Sequence, residues 1–298
     1  MPLFRKKTTL VHHITYMGLM AAINIIFIAL ATINPVLMLL LILLLPFASA
    51  IVAYYCLKRY YPIYALATIG LCLIFRNFAD TLFYVVPAIA SGFVIGLLLE
   101  KKIHPFWMVL FTTLINAGLS YAFIPLVNYI SGTDIIHTLL VILRLDGYTY
   151  CNEIGLLLIF IISLMQSILT HFILLSDIKK MGIEVNTRVD SFGPYIIGLE
   201  ASVILSIGFA FFYFPLTLVF MAISFCFAGF LAYDQLCSKR TVVYIMFGSA
   251  VFLAIILFAI FYQMIEKPYG ITLTLLFPLV ISVTSFVKNY LLKGALNN

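Results

Sequence analysis

The sequence predicts an all-α fold, a polytopic transmembrane helical bundle of about ten spans with both termini in the cytoplasm. Hydrophobic residues make up 64% of the 298-residue chain and charged residues only 9%, whereas a soluble domain carries about 25% charged residues. Apolar runs of about 18 residues or more recur along the chain, which is the signal of membrane-spanning helices. We therefore expect an integral membrane protein without a sizeable soluble domain.

The predicted spans follow one another as apolar runs with mostly short polar gaps. In order, they are Tyr16–Thr32, Pro35–Leu57, Tyr61–Phe75, Thr81–Leu99, Pro105–Ile130, Ile154–Ser176, Tyr195–Phe214, Pro215–Leu236, Thr241–Met264 and Ile271–Leu291. The seventh and eighth are separated only at Phe214-Pro215, because proline cannot continue a helical hydrogen-bond ladder. The long gap at residues 131–153 has apolar residues at helical spacing in a run too short to span, which predicts an interfacial or re-entrant helix.

The distribution of basic residues predicts the orientation of the spans. Of the 17 Lys and Arg residues, all but Arg76, Arg144 and Lys267 are assigned to loops on the same side as the N-terminus, including Lys288 near the end of the tenth span. Basic loops stay in the cytoplasm, so we expect both termini there. The polar gap at residues 177–194 is the expected seam between a six-helix membrane domain, residues 1–180, and a four-helix C-terminal membrane extension, residues 181–298.

Several functional classes lack their sequence signatures in this chain. It has no GxGD, HExxH, Walker A or GxSxG motif, so we do not expect an enzyme. His12-His13 and the five cysteines show no metal-ligand spacing, and no metal or other cofactor is expected. The net charge of +6 comes from loop residues that orient helices, so we expect no nucleic-acid partner.

Three predicted spans carry small residues at every fourth position. These stripes are Gly18 and Ala22 in the first span, Ala88, Gly92 and Gly96 in the fourth, and Gly198, Ser202, Ser206 and Ala210 in the seventh. Lipid gives helices no hydrophobic reason to associate, so such stripes indicate close backbone contact between helices. Packing within the chain is the simpler interpretation. Docking of a partner subunit is the alternative, and it is strongest for Gly18 and Ala22.

Polar residues inside the spans predict contacts between helices. Five of them share one face of the sixth span: Ser163, Gln166, Ser167, Thr170 and His171. Glu200, early in the seventh span, lies at a similar depth. A carboxylate within the membrane usually has a partner, and His171 is the candidate for an intramembrane polar pair. Structural packing is the favoured interpretation, and a proton relay through His171 and Glu200 is the alternative.

Another set of polar residues lies towards the outer side of the predicted bundle. Its members are Asn34, Arg76, Asp80, Asn116, Tyr121 and Asn128. Pockets for small molecules combine apolar walls with a few placed polar groups, so these residues are the candidates for binding a solute from outside. The alternative is that they are solvated helix ends, with Arg76 and Asp80 forming a weak ion pair one helical turn apart.

Roughly residues 10–180 resemble a known family. The first helix opens with Ile14-Thr-Tyr-Met-Gly-Leu-Met-Ala-Ala-Ile-Asn24, and Asn34-Pro35 makes a short outer turn. A Leu-rich helix with Pro46 then leads to Lys58-Arg59, and the fourth helix ends in Ala90-Ser-Gly-Phe-Val-Ile-Gly-Leu-Leu-Leu-Glu-Lys-Lys102. This pattern resembles the membrane-embedded S components of energy-coupling factor (ECF) transporters, and most of all their longer YybS-like relatives.

The resemblance implies a bacterial cytoplasmic-membrane protein that captures a small solute, such as a vitamin or a metal ion. S components dock a transmembrane coupling subunit that two ATPase subunits drive. Gly18 and Ala22 match this docking role, and Asn34-Pro35 matches the loop that gates the pocket. The four C-terminal helices have no counterpart in a minimal S component. Two rival functions are a non-transporting membrane scaffold, working through residues 177–194 and the C-terminal helices, and a proton-coupled secondary transporter.

Overall fold

The computed structural model describes residues 9–33, 35–142, 150–180, 192–236, 241–262 and 269–294, which are helical almost throughout and contain no strand. The helices are α1 Leu10–Ile33, α2 Pro35–Tyr55, α3 Tyr61–Phe75, α4 Phe78–Glu100, α5 Pro105–Ser131, α6 Ile135–Ile142, α7 Cys151–Lys180, α8 Phe192–Ala210, α9 Phe214–Leu236, α10 Thr241–Tyr262 and α11 Leu276–Gly294. Short 3-10 segments, Lys58–Tyr60 and Tyr269–Leu275, precede α3 and α11, and Thr81–Val85 forms a π-helical turn inside α4.

The predicted all-α class is confirmed for the described residues, because every predicted span coincides largely with a helix. Eight helices in the described ranges are long and apolar enough to cross a membrane, namely α1, α4, α5, α7, α8, α9, α10 and the region Gly270–Tyr290 around α11. α3 has only 15 residues, and Leu44–Tyr55 in α2 is a shorter apolar stretch. Ten crossings and cytoplasmic termini therefore stay predictions. The short helix expected in the long gap is confirmed as α6, which has eight residues.

Contacts divide the chain into two compact units. The first contains the residues up to Ile135 together with Ile162–Thr187, and the second contains Ile136–Ile161 together with the residues from Arg188 onwards. The helix α7 thus contributes its first part to the second unit and its remainder to the first. The later boundary falls within the predicted polar seam, whereas α6 and the start of α7 group with the C-terminal helices.

In the first unit, α2 packs against both α1 and α4, α5 packs against α4, and α3 packs against α1. Each of these helices buries one side, made of apolar and small residues, against its neighbours. The fully buried side chains of these helices include Val52, Tyr64, Cys72, Ile95 and Met108.

The helices α2 and α4 approach each other closely at their small residues. A Cβ added to Gly92 would lie 2.5 Å from the Cβ of Ser49, and one added to Gly96 would lie 2.5 Å from the Cβ of Ala53 and 2.8 Å from the carbonyl oxygen of Ala50. No real Cβ tolerates such distances, so the two backbones approach this closely only because both positions are glycine. Packing within the chain is confirmed for this stripe.

In the second unit, α8 packs against α9 and α11, and α10 packs against α11. The stripe of α8 faces α9: a Cβ added to Gly198 would lie 2.8 Å from the ring of Phe227. The hydroxyl of Ser206 donates a hydrogen bond of 3.1 Å to the carbonyl of Thr217, and Ser202 is buried. Packing within the chain is therefore confirmed for the stripe of α8 as well.

Candidate functional site

The remaining stripe, which lies on α1, is not covered by the described residues. Gly18 and Ala22 are both exposed, and a Cβ added to Gly18 would meet no neighbouring atom of the described chain within 4 Å. The exposed side of α1 continues along the helix through Val11, Ile14 and Ile26. We call these five residues the α1 face. Because small residues form its centre and larger apolar residues flank them, the face is a shallow depression in an apolar helix surface.

The opposite side of α1 is fixed to the first unit by a buried hydrogen-bond network. The side-chain amide of Asn24 donates to the hydroxyl of Tyr64 on α3 at 3.1 Å, and the same hydroxyl lies 3.1 Å from the Oγ of Ser49 on α2. All three side chains are at most 1% exposed. A hydrogen bond between buried side chains of neighbouring helices restricts the rotation of those helices, so the network holds the α1 face outwards.

The sequence does not predict this network as a site. Its signal was nevertheless present, since Asn24 is an amide within a long apolar run and Tyr64 is a tyrosine within another. Which hydroxyl or amide pairs with which is decided by long-range packing, because these three residues lie 15 and 40 positions apart. The Oδ1 of Asn24 has no hydrogen-bond partner among the described residues.

Two of the residues predicted to bind a solute lie where α4 begins. Arg76 and Asp80 form the predicted ion pair, with 3.4 Å between Nη1 and Oδ2, and their side chains are 22% and 35% exposed. The side chain of Asn77 caps the helix, its Oδ1 accepting the backbone N–H of Asp80 at 2.7 Å. The polar sequence between α3 and α4 therefore starts a helix, and its charges partly neutralise each other.

Asn128, predicted for the same role, organises the turn between α5 and α6. Its Oδ1 accepts the backbone N–H of Ile135 at 3.0 Å, and its backbone carbonyl accepts the N–H of Gly132. Gly132 ends α5 with a φ of 67°, in the left-handed region that glycine adopts readily. The side chain of Asp134 lies 3.5 Å from the amide of Asn128. These contacts give Asn128 a structural role at the helix end.

The remaining candidates for solute binding lie along α5 or outside the described residues. The amide of Asn116, which is 3% exposed, donates to the Oε1 of Gln166 on α7. Tyr121 is half-buried, and Asn34 lies outside the described residues. The hydrogen bond of Asn116 links the two polar helix faces that the sequence predicted separately. Binding of a solute by these residues stays a prediction.

The polar face predicted on α7 is buried, as expected. Ser163, Gln166, Ser167, Thr170 and His171 are all less than 5% exposed. Glu200 lies in the second unit, whereas His171 lies in the first. The carboxylate of Glu200 accepts a hydrogen bond of 3.1 Å from the hydroxyl of Ser282 on α11. The pairing of His171 with Glu200 stays a prediction.

A charged cluster that the sequence does not predict joins α9 to α11. The Nζ of Lys288 lies 2.5 Å from the Oδ2 of Asp234 and 2.9 Å from its backbone carbonyl. Next to this pair, the amide of Gln235 donates to the hydroxyls of Thr284 and Ser285. The predicted place of Lys288 in a loop is wrong, because it lies inside α11 and is 6% exposed, whereas its cytoplasmic side stays a prediction. The ammonium group of Lys288 also donates to a backbone carbonyl in the last turn of α9, where helical N–H donors are lacking.

Comparison of the chain with models of protein families, with curated proteins and with solved structures finds no match.

Proposed function

We propose that this chain is the membrane-embedded, substrate-binding subunit of an ATP-driven importer of the ECF type, and that α1 docks its transmembrane coupling subunit. The observation that carries the proposal is the uncovered α1 face. In this account the chain crosses a bacterial cytoplasmic membrane about ten times, has both termini in the cytoplasm, and takes up a small solute such as a vitamin or a metal ion from outside.

The physical argument for docking rests on the other two stripes. Helices in lipid associate through close van der Waals contact, which small residues permit. Gly92 and Gly96 are covered by α2, and Gly198 is covered by α9. Gly18 is likewise followed four positions later by a small residue, Ala22, but a Cβ added to Gly18 would meet no atom of the described chain within 4 Å. A partner helix on α1 would make the contact that α2 makes on α4.

The buried network behind α1 supports the same role. A docking surface loses less conformational freedom on binding when it is already held in its bound orientation. Asn24, Tyr64 and Ser49 connect α1 to α2 and α3, so the rotation of α1 is set before any partner arrives. This favours a preformed docking surface over a helix that must rearrange.

Solute capture is the second half of the proposal. The polar groups on the predicted outer side are Asn34, Arg76, Asp80, Asn116, Tyr121 and Asn128. Arg76 and Asp80 keep part of their surface exposed, which leaves both charges accessible to a polar solute. The docking role rests on packing, whereas the capture role rests on the resemblance to S components and on the chemistry of these side chains.

Purification of the full chain from its native membrane in a gentle detergent, followed by mass spectrometry, tests the proposal. We expect one further transmembrane subunit and two ATPase subunits to copurify, and uptake of the solute to require ATP. Copurification with a protein unrelated to ATPases, or recovery of the chain alone, would contradict it and favour the scaffold. Loss of all transport in Glu200→Gln, without any ATPase partner, would instead identify a proton-coupled transporter.

A further inference from the structure

Glu200 lies near the middle of a membrane-spanning helix. α8 begins at Phe192 and ends at Ala210, so Glu200 is about 12 Å from its start and about 15 Å from its end at a rise of about 1.5 Å per residue. The predicted span began at Tyr195 and had placed Glu200 closer to one end. The carboxylate therefore lies nearer the middle of its helix than the predicted span suggests.

The side of α8 that carries Glu200 is not covered by the described residues and is otherwise apolar. Glu200 is exposed, and so are Ile197 and Ile204, one turn before and one turn after it. Ala201, the next residue, is exposed as well, and a Cβ added to Gly208 would meet no described atom within 4 Å. We call these five residues the α8 face. It combines one acidic side chain with the small residues that allow another helix to approach closely.

No basic side chain among the described residues of the second unit forms an ion pair with Glu200. Among the described residues its carboxylate has one hydrogen bond, from the hydroxyl of Ser282, and no ion pair. The helices packed against α8 carry three charged residues, Asp234 of α9 and Lys288 and Lys293 of α11, and the first two pair with each other. Ionisable side chains within a membrane almost always face a partner or a cavity. A hydroxyl supplies a single hydrogen bond and no compensating charge.

We propose that the α8 face binds a transmembrane helix of another protein subunit that carries Lys, Arg or His at the depth of Glu200. Charge complementarity determines the chemistry of this partner, since a basic side chain supplies what Ser282 does not. The apolar surroundings and the small residues Ala201 and Gly208 favour a helix as its carrier. A second copy of the chain is the wrong occupant, because symmetric pairing through this face would bring two Glu200 carboxylates together.

The proposed contact is separate from docking through the α1 face. The α1 face belongs to the first unit and the α8 face to the second. One is uncharged, whereas the other depends on a carboxylate. Failure of either proposal therefore leaves the other intact, and a variant such as Gly18→Leu should not alter binding at Glu200.

Site-specific photocrosslinking in the native membrane tests the proposal. A benzophenone amino acid replaces Ile204, which is 69% exposed and one turn from Glu200, and the crosslinked peptide is then sequenced. We expect a membrane-spanning segment of a different polypeptide with a basic residue inside its apolar run. Combining the reporter with Glu200→Lys should lower the crosslinked fraction by about tenfold, the equivalent of about 1.4 kcal/mol.

Two further variants separate a lost contact from a lost fold. Glu200→Gln keeps an oxygen for the hydroxyl of Ser282 but removes the charge, and it should also reduce the crosslink. Glu153→Gln removes an exposed carboxylate in the first turn of α7 and should leave the crosslink unchanged. Replacing the partner's basic residue by Glu should restore the crosslink in the Glu200→Lys chain.

Three results would overturn the proposal. The first is a crosslink in Glu200→Gln and Glu200→Lys as strong as in the unchanged reporter chain. The second is a crosslinked segment without a basic residue, or one that comes from a second copy of this chain. The third is crosslinking to lipid alone, which would show that the α8 face has no protein occupant.

Discussion

The α1 face and the stripe of α4 have the same sequence pattern and opposite surroundings. In α4, Gly92 and Gly96 are so close to α2 that no side chain fits at either position. In α1, Gly18 has open space where its side chain would be, and Ala22 is exposed. The spacing of small residues therefore indicates that a helix can be approached closely, and the rest of the chain decides whether one of its own helices does so.

The reason for the difference lies on the opposing helix. Opposite Gly92 and Gly96, α2 presents Ser49, Ala50 and Ala53, which are small as well and completely or almost completely buried. Two small surfaces allow a backbone approach that one small surface against a large side chain does not. A partner for the α1 face would be expected to carry a similar run of small residues, which gives a criterion for recognising it.

The largest effect is expected where glycine meets backbone. In Gly96→Leu the new Cβ would lie 2.8 Å from the carbonyl oxygen of Ala50, and backbone cannot move aside as a side chain can. We expect a loss of about 3 kcal/mol in the free energy of unfolding, at the upper end of the cost of overpacking. Unfolding of the purified chain in detergent measures it. The matched control is Gly70→Leu, at an exposed glycine without described neighbours. Equal stability of the two variants would contradict the close contact between α2 and α4.

A smaller loss is expected from the network that fixes α1. Tyr64→Phe removes the hydroxyl shared by Asn24 and Ser49 and leaves a buried amide without its acceptor. The expected cost is about 1–2 kcal/mol, measured by the same unfolding experiment. Tyr129→Phe is the control, because Tyr129 is 87% exposed. If both variants unfold alike, the orientation of α1 does not depend on this network.

The contact between Gly198 and Phe227 should respond less than that of Gly96. The nearest atom to an added Cβ is the tip of an aromatic ring, 2.8 Å away, and a ring can rotate while a backbone cannot. We expect Gly198→Leu to lower the free energy of unfolding by about 1 kcal/mol relative to Gly208→Leu on the uncovered side of the same helix. A loss as large as that of Gly96→Leu would show that α9 cannot adjust either.

The smallest effect on stability is expected for Gly18→Leu. Because the new side chain enters open space, the free energy of unfolding should stay within about 0.5 kcal/mol of that of Gly70→Leu. Any gain in helix propensity on replacing glycine is common to both variants. A marked destabilisation of the isolated chain by Gly18→Leu would mean that the α1 face packs against this chain after all.

The helices themselves could be predicted from sequence because apolar runs and their breaks are local signals. α3 begins and ends at the predicted residues, Tyr61 and Phe75. Which helices and side chains contact each other could not be predicted, because these contacts join residues far apart in the chain. Lys288 near the end of the last predicted span is predicted to be a loop cation, and only the packing of α9 against α11 brings it onto Asp234.

The candidate sites show the same division. The polar faces of α5 and α7 were visible in the sequence, but not the hydrogen bond between Asn116 and Gln166 that joins them. The three small-residue stripes were equally visible, but not which of them stays uncovered. Spacing along a helix fixes which residues share a face, whereas burial of that face is a property of the whole unit.

The central claim is that the α1 face is reserved for a partner, and one measurement tests it directly. The amount of coupling subunit that copurifies per chain is compared between Gly18→Leu and Gly118→Leu, both at exposed glycines without neighbours. We predict that Gly18→Leu lowers this ratio by about tenfold or more, a loss of about 1.4 kcal/mol or more, while Gly118→Leu leaves it unchanged. Equal ratios in the two variants would contradict docking through α1.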